Sequence, residues 1–366
     1  MNVLIAPTRF LPNVGSQAVA DALERGIRQC CEETRTMVRP IPGGGRGTID
    51  IVVRALSGRI RRAVTRNASG RSVEARWALL PDGTAMIDAG EILGETELSD
   101  ISRASSWGLG PMISDVARFH PYQIVVSLGD VMTHDGGIGL LEYFGLTFAD
   151  ERGEDIPRGL RALERVHHIA KSPNWRIPSI PLIVLYPRLL AVSGKNGVTF
   201  RDGSLKGLPT YQLAAVDRQM WHYATLLEDF FATSLLQHPA AGEGGGLGLA
   251  FLAMGAQYKE ATDFLLDIFH LEQYCQQADW VLTAQRTLDE SQMISLAPTL
   301  SRRLLPFSTP LVAIVERLGE QYMQYYRHSL KGIYPLIDKP RRARDVERMR
   351  VHLLQQAAYR VAAWMR

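Results

Sequence analysis

Apolar residues along this chain follow two spacings in turn, and each change of spacing marks an element. Val3 to Ala6 form a short apolar run closed by Pro7, which predicts a first strand. Beyond Ser16, placed to cap a helix, Val19, Ala22, Leu23, Gly26, Ile27 and Cys30 recur at helical spacing. A second strand is predicted near Thr36 to Val38. The segment PIPGGGRGT, Pro40 to Thr48, interrupts the pattern, and Ile49, Val52, Val53 and Leu56 then restore the helical period. Strand, helix, strand, glycine loop and helix in that order predict an α/β domain.

From Arg59 to about Gly83 the period shortens to two. Segments such as RSVEARWALLPDGTAMIDAG predict antiparallel strands joined by an Asp82-Gly83 turn, and a domain boundary near residue 65. Further strands are expected at Ile124 to Ser127 and Pro181 to Leu185, and a long helix from about Leu213 to Leu236. Trp280 to Thr283 and Leu311 to Val315 are continuous apolar runs, which suit strands buried on both faces of a parallel sheet. Asp345 to Arg366 reads as an amphipathic helix. The expected fold class is α/β: a discontinuous Rossmann-like (flavodoxin-like) domain from both chain ends, residues 1–65 and 279–366, with a mixed α/β second domain, 66–278, inserted.

Composition narrows the classes. A chain of 366 residues suggests two domains, and 46% hydrophobic content is that of an ordinary globular protein. Gly, Pro or charge interrupts every apolar stretch before the ~18 residues a spanning helix needs, so no membrane partner is expected. The start, MNVLIAPTRF, has no cationic lead and no small-residue cleavage site, and reads as a strand rather than a signal peptide. Cys30, Cys31 and Cys275 make neither a disulfide framework nor a zinc spacing, so a reducing, cytoplasmic compartment is expected. The formal charge of +3 is small for this length. Lys339, Arg341, Arg342 and Arg344 are interleaved with Asp338, Asp345 and Glu347, so they read as a solvated helix start rather than a nucleic-acid patch. Oligomeric state is left open.

Candidate chemistry gathers in SLGDVMTHDGGIG, Ser127 to Gly139, between the apolar run Ile124–Val126 and Leu140 to Phe144. It reads as strand, glycine-rich loop and helix, and it carries Asp130, Thr133, His134 and Asp135. Two more glycine segments occur, Gly43 to Thr48 and Gly242 to Gly248. Glycines let backbone N–H groups approach an anion, and a helix start adds partial positive charge. None matches a nucleotide-binding fingerprint. Asp135 is either a general base or magnesium-side carboxylate, or the cap of the following helix. His134 reads as a solvated loop histidine, and the pair His167 and His168 lacks the company a metal needs. Arg46 and Arg286 either stabilise phosphate charge or pair with nearby acids. Tyr322, Tyr325 and Tyr326 read as one face of a helix packed on the sheet.

The order of these landmarks resembles the bacterial glycerate kinase family of type 1. NVLIAPTRF stands where that family has an IAPDSFK-like start, GGGRGT where it has DGGEGT, and SSWGLGPMI where it has T-x-x-G-x-G-x-x-I. SLGDVMTHDGGIGLLEYFG, GGGLGLAFLAMGA, ADWVLTAQRTLDESQ and TPLVAIV follow collinearly, so the resemblance spans the chain. It implies transfer of the ATP γ-phosphoryl group to D-glycerate, with magnesium, in a cleft between two domains. The implied catalytic residues are Asp135 and Asp289. The implied phosphate- or substrate-binding residues are Gly44, Gly45, Arg46, Thr48, Thr133, Gly136, Gly137, Gly244, Gly245 and Arg286. No residue is assigned to a metal. The implied partners are a small hydroxy acid and a nucleotide.

The polar positions depart from that pattern. Thr8, Arg9 and Leu11 replace the family's Asp, Ser and Lys; Gly43 and Arg46 replace acids. Ala284-Gln285-Arg286-Thr287 replaces GEGR, and Ser291-Gln292 and Ser295-Leu296 stand at the later QT and GK positions. Asp130 stands where the family has glycine. The family's Asp-Val-x-Asn-Pro stretch finds no counterpart around Leu185 to Leu190. Apolar strands and glycines persist, while ionic positions do not. The expectation is a family member with transfer weakened or lost; the alternative is a non-catalytic relative that binds a small anion, nucleotide or protein.

Overall fold

This computed structural model describes residues 1–10, 14–94, 100–288, 296–320, 322–326 and 329–366. The chain forms two compact units, one of Met1–Gly43 with Thr262–Arg366, the other of Gly44–Ala261. The first unit opens with β1 (Asn2–Ile5), α1 (Ser16–Cys30) and β2 (Arg35–Val38). Ser16 is the first residue of α1 and not its cap: Gly15 takes that place, and the Ser16 hydroxyl donates to the Ile41 carbonyl at 2.9 Å.

The second unit runs through α2 (Thr48–Leu56), β3 (Arg59–Arg66), β4 (Ser72–Leu79), β5 (Thr84–Asp88), α3 (Ala89–Leu93), α4 (Leu109–Ala117) and β6 (Gln123–Ser127). It continues through α5 (Ile138–Tyr143), β7 (Leu146–Ala149), α6 (Arg161–Arg165), β8 (His168–Lys171), β9 (Leu182–Tyr186), α7 (Val198–Asp202), α8 (Leu213–Phe231), α9 (Leu247–Ala253) and β10 (Gln257–Glu260). Its six-stranded sheet has the order β10-β9-β6-β5-β4-β3. β10, β9, β6 and β5 are parallel, while β4 and β3 turn back antiparallel. The β4–β5 turn is the expected one: Gly83 has φ 83°, and the Asp82 carboxylate accepts the Thr84 N–H at 2.9 Å. β7 and β8 form a separate hairpin. α8 stops at Phe231, short of Leu236. Ala232 adopts a left-handed conformation, and the Glu228 carboxylate takes the N–H groups of Leu235 and Leu236.

The chain then returns to the first unit with α10 (Ala261–Ile268), α11 (Leu271–Cys275), β11 (Trp280–Leu288), α12 (Leu296–Arg303), β12 (Leu311–Leu318), β13 (Leu330–Pro335) and α13 (Ala343–Met365). Its sheet is parallel throughout, in the order β13-β12-β11-β1-β2, so strands from both ends of the chain lie side by side. α1 and α13 pack together over it, with Leu23, Ile27, Leu354 and Ala358 in the core. The units divide at Gly43/Gly44 and Ala261/Thr262, earlier than residues 65 and 278: α2 packs on β3, β4 and β5, while Arg303 of α12 pairs with Asp263, Asp267 and Glu272 of α10 and α11. Tyr322–Tyr326 is a short 3-10 turn with no buried residue, so the tyrosines are not a packed helix face; the Tyr326 hydroxyl accepts the Ile333 N–H. Among the described residues, no helix is long and apolar enough to cross a membrane.

Candidate functional site

In the second unit, β6 and β9 are parallel neighbours, and their carboxyl ends lead into the segments 128–137 and 187–206. Open α/β sheets bind ligands at such ends. Asp135 sits here, fully buried. Its Oδ2 accepts the Ser106 N–H at 2.7 Å, the Ser106 hydroxyl at 2.9 Å and the Gly139 N–H at 3.4 Å; Oδ1 accepts the Gly137 N–H at 3.2 Å. Ser106 Oγ in turn accepts the Leu140 N–H at 3.1 Å. Burial pushes the Asp135 carboxyl up, and these donors pull it back. The carboxylate thus fills the place at the start of α5 where an external anion would otherwise meet backbone N–H groups.

α5 and α9 both begin after a left-handed glycine, Gly137 with φ 78° and Gly246 with φ 88°. Their entry loops lie against each other, and the Gly136 N–H donates to the Gly245 carbonyl at 3.1 Å. A Cβ on Gly245 would stand 1.9 Å from the Thr133 carbonyl oxygen, and one on Gly137 would stand 2.4 Å from Ala250 Cβ. Contact between loops therefore explains glycine at these positions. The first glycine loop is tied in the same manner. The Gly44 carbonyl accepts the Gly129 N–H at 2.8 Å, and the Gly45 carbonyl accepts the Thr48 hydroxyl at 2.5 Å. The Arg46 N–H donates to Asp130 Oδ2 at 2.9 Å, and Asp130 itself is left-handed with φ 60°.

A second buried polar group joins 187–206 to the loop before α9. Arg188 donates twice to Asp202, at 3.1 and 2.8 Å, and its Nε lies 3.3 Å from Glu243 Oε1. Glu243 is 1% exposed. Burial raises its carboxyl to about 7; burial also pushes Asp202 up, but the hydrogen bonds and charge of Arg188 together with the charge of Lys206 bring that carboxyl below its ordinary value. Lys206 Nζ donates to the Thr133 carbonyl at 2.8 Å, and burial draws the ammonium down to about 8. His134 Nε2 lies 3.0 Å from Thr199 Oγ1; burial first, then Lys206, holds the imidazole near 3. It is a neutral buried histidine, not a solvated one. Its Nδ1, Thr133 Oγ1 and the Tyr223 hydroxyl are buried with no hydrogen-bond partner among the described residues.

The model of the Glycerate kinase family matches residues 3–366. The chain belongs to the glycerate kinase family. It is similar to Glycerate kinase from Halalkalibacterium halodurans, 25% identical over 98% of this chain and 97% of that protein. It is similar to Glycerate 2-kinase from Escherichia coli, 24% identical over 92% of this chain and 91% of the relative. A solved structure of a candidate glycerate kinase 2 from Salmonella typhimurium LT2 matches with a TM-score of 0.75 at 25% identity, covering 100% of this chain and 98% of the other.

In this glycerate kinase family member, Gly44, Gly45, Arg46, Thr48, Thr133, Asp135, Gly136, Gly137, Gly244 and Gly245 all fall in the second unit. All of these are buried except the exposed Arg46. Thr133, Asp135, Gly136, Gly137 and Gly245 are brought together. Arg286 belongs to the first unit, on β11, with Nε 3.4 Å from Glu316 Oε1; Glu316 is shared with the buried Arg350 at 2.7 Å. Asp289 lies outside the described residues. His167 stacks edge-on against His222, and among the described residues no cluster of three or more His, Cys, Asp or Glu is placed to hold a metal. Sequence reasoning missed Ser106, Arg188, Asp202, Lys206 and Glu243. Asp202 and Lys206 stand one helical turn apart in RDGSLKG, a faint signal, and Arg188 and Glu243 left none.

Proposed function

We propose that this family member binds a nucleotide and a small hydroxy acid of the glycerate kind, and that its transfer of the ATP γ-phosphoryl group to D-glycerate is weakened or lost. One observation carries the reading: the Asp135 carboxylate is fully buried and takes donors from Ser106, Gly137 and Gly139 on both oxygens. A general base needs an oxygen directed at the substrate hydroxyl, and this one is spent on the fold. Exposed Arg46, at the start of α2, is the cation of the glycine loops that a nucleotide phosphate would meet.

Magnesium enters this reading as part of the nucleotide substrate. Bound that way it needs phosphate oxygens, water and at most one or two carboxylates, not a protein cage. The first unit's order, β2-β1-β11-β12-β13, all parallel, supports the discontinuous Rossmann-like reading, since it is the 2-1-3-4-5 arrangement of flavodoxin-like sheets. Free Cys30, Cys31 and Cys275 support a reducing, cytoplasmic setting.

The test is ADP release with D-glycerate, ATP and magnesium, run beside the Escherichia coli relative. Turnover at least ~10²-fold below the relative is expected, with nucleotide and D-glycerate each raising the melting temperature by linkage. Asp135→Asn should lower the melting temperature and leave residual turnover per folded molecule unchanged. Turnover equal to the relative's, lost in a well-folded Asp135→Asn protein, overturns the reading. The binding half fails if neither compound shifts the melting temperature.

A further inference from the structure

β3 (Arg59–Arg66) ends the second unit's sheet, with β4 on one flank and no strand on the other. It pairs with β4 in unbroken register along its whole length, without proline or bulge. In an antiparallel pair, every second residue turns its N–H and C=O away from the partner. Among the described residues, the main chain of β3 bonds only to β4, so these outward groups are unpaired. The Ser106–Gly108 turn lies against the end of the strand, where the Thr65 hydroxyl donates to the Gly108 carbonyl. From Arg59 to Val64 the edge is open.

Folded proteins guard such edges by keeping them short, by proline, by a bulge, by a cover or by charge. Here charge is the only guard, and it has one sign. β3 carries Arg59, Arg61, Arg62 and Arg66 and no acid. Arg62 meets Glu74 of β4 at 2.6 Å, while the other three have no acidic partner among the described residues. Arg61 lies over the Phe119 ring at 4.5 Å and Arg66 over the Trp107 ring at 5.7 Å, contacts that leave both charges uncompensated. Strand period places Ile60, Arg62, Val64 and Arg66 on one face. All four are exposed, Val64 by 71% and Ile60 by 42%. This face therefore alternates apolar and basic side chains with nothing opposite them. A second copy would bring four more arginines to the same seam, and like charges set opposite one another are destabilising. A strand of opposite charge meets no such barrier.

We propose that β3 is a docking edge for an extended acidic segment of another protein, which adds to the sheet as an antiparallel strand. Its apolar side chains lie against Ile60 and Val64, and its carboxylates against Arg62 and Arg66. Main-chain bonds to the open edge supply the affinity, and the alternation of side chains supplies the choice of partner. The arginines thus admit an acidic strand and turn away a basic one.

Fluorescence anisotropy of a dye-labelled peptide ETVTETVT, titrated with the full chain, reads the proposal directly, beside the basic peptide KTVTKTVT. Saturable binding of ETVTETVT is expected, weakening as salt rises, with KTVTKTVT at least about tenfold weaker. Two further forms of ETVTETVT carry N-methyl groups on alternate amides, one form for each edge of the peptide. The form methylated on the edge that faces β3 should not bind, and the other should bind as the parent does, since only alternate N–H groups reach the sheet. Arg66→Glu should weaken ETVTETVT about tenfold and strengthen KTVTKTVT. No binding of ETVTETVT at about 1 mM overturns the proposal. Equal binding of the two methylated forms also overturns it, because attraction to the arginines would then proceed without strand pairing. A concentration-dependent dimer in sedimentation that Val64→Lys abolishes would give the edge to a second copy instead. The readout involves neither nucleotide nor turnover, so it stands or falls apart from the kinase reading.

Discussion

Two polar knots lie in the same unit at the same ends of the same strands, and both hold buried carboxylates, yet they are opposites. Around Asp135 one carboxylate receives three backbone N–H groups and a hydroxyl, so its charge is dispersed into the fold. Around Arg188 two carboxylates share one guanidinium, and Lys206 nearby has a single hydrogen bond. Burial alone therefore does not tell architecture from reactivity. The number of partners each group has found does.

Asp135→Ala gives the largest expected effect. It strips four buried donors of their acceptor, and urea unfolding should show a loss of about 4 kcal/mol. A loss below about 1 kcal/mol would erase the distinction between the knots. Arg188→Met comes next. It leaves Asp202 and Glu243 facing each other, at a cost of about 2 kcal/mol at pH 7 because Arg188 is partly exposed. That cost should shrink at pH 5, where Glu243 takes a proton; a cost independent of pH would mean that Glu243 plays no part.

The smallest net effect in the unaltered chain is its pH dependence, because two slopes oppose each other. His134, held near 3 by burial, adds stability above its ordinary 6.5 that is lost as pH falls toward 3. Glu243, raised to about 7 by burial, adds stability below its ordinary 4.5 that is lost as pH rises through 7. Between these ordinary values the two slopes oppose each other, each at up to about 1.4 kcal/mol per pH unit. His134→Gln should therefore gain stability on acidification from about pH 6.5 to 4.5, and Glu243→Gln should lose it faster than the unaltered chain. Melting-temperature profiles that coincide for all three proteins would remove both groups from the balance.

The fold was legible where burial repeats along the chain. The runs Ile124–Val126, Trp280–Thr283 and Leu311–Val315 announce β6, β11 and β12, since strands covered on both faces must be apolar at successive positions. The division between units was less legible, because the period of α2 says that one face is buried but not which sheet buries it. Of the candidate site, Asp135 stood out for its place between strand and helix. His134 reads from its loop position as solvated but is fully buried, and the groups it meets, Thr199 and Lys206, lie far along the chain. Arg188 and Glu243 meet only after both loops have folded, and pairs of that kind leave no period to detect.

The sheet shared by both chain ends has a consequence for synthesis. β1 emerges from the ribosome early, but β11, its partner opposite β2, is made only after the whole of the second unit. The intervening segment can therefore complete its own core during translation, while β1, β2 and α1 must wait with an apolar edge uncovered. For this protein the interval between translating Ile5 and translating Leu282, its neighbour across the sheet, is the period of greatest exposure to misassociation.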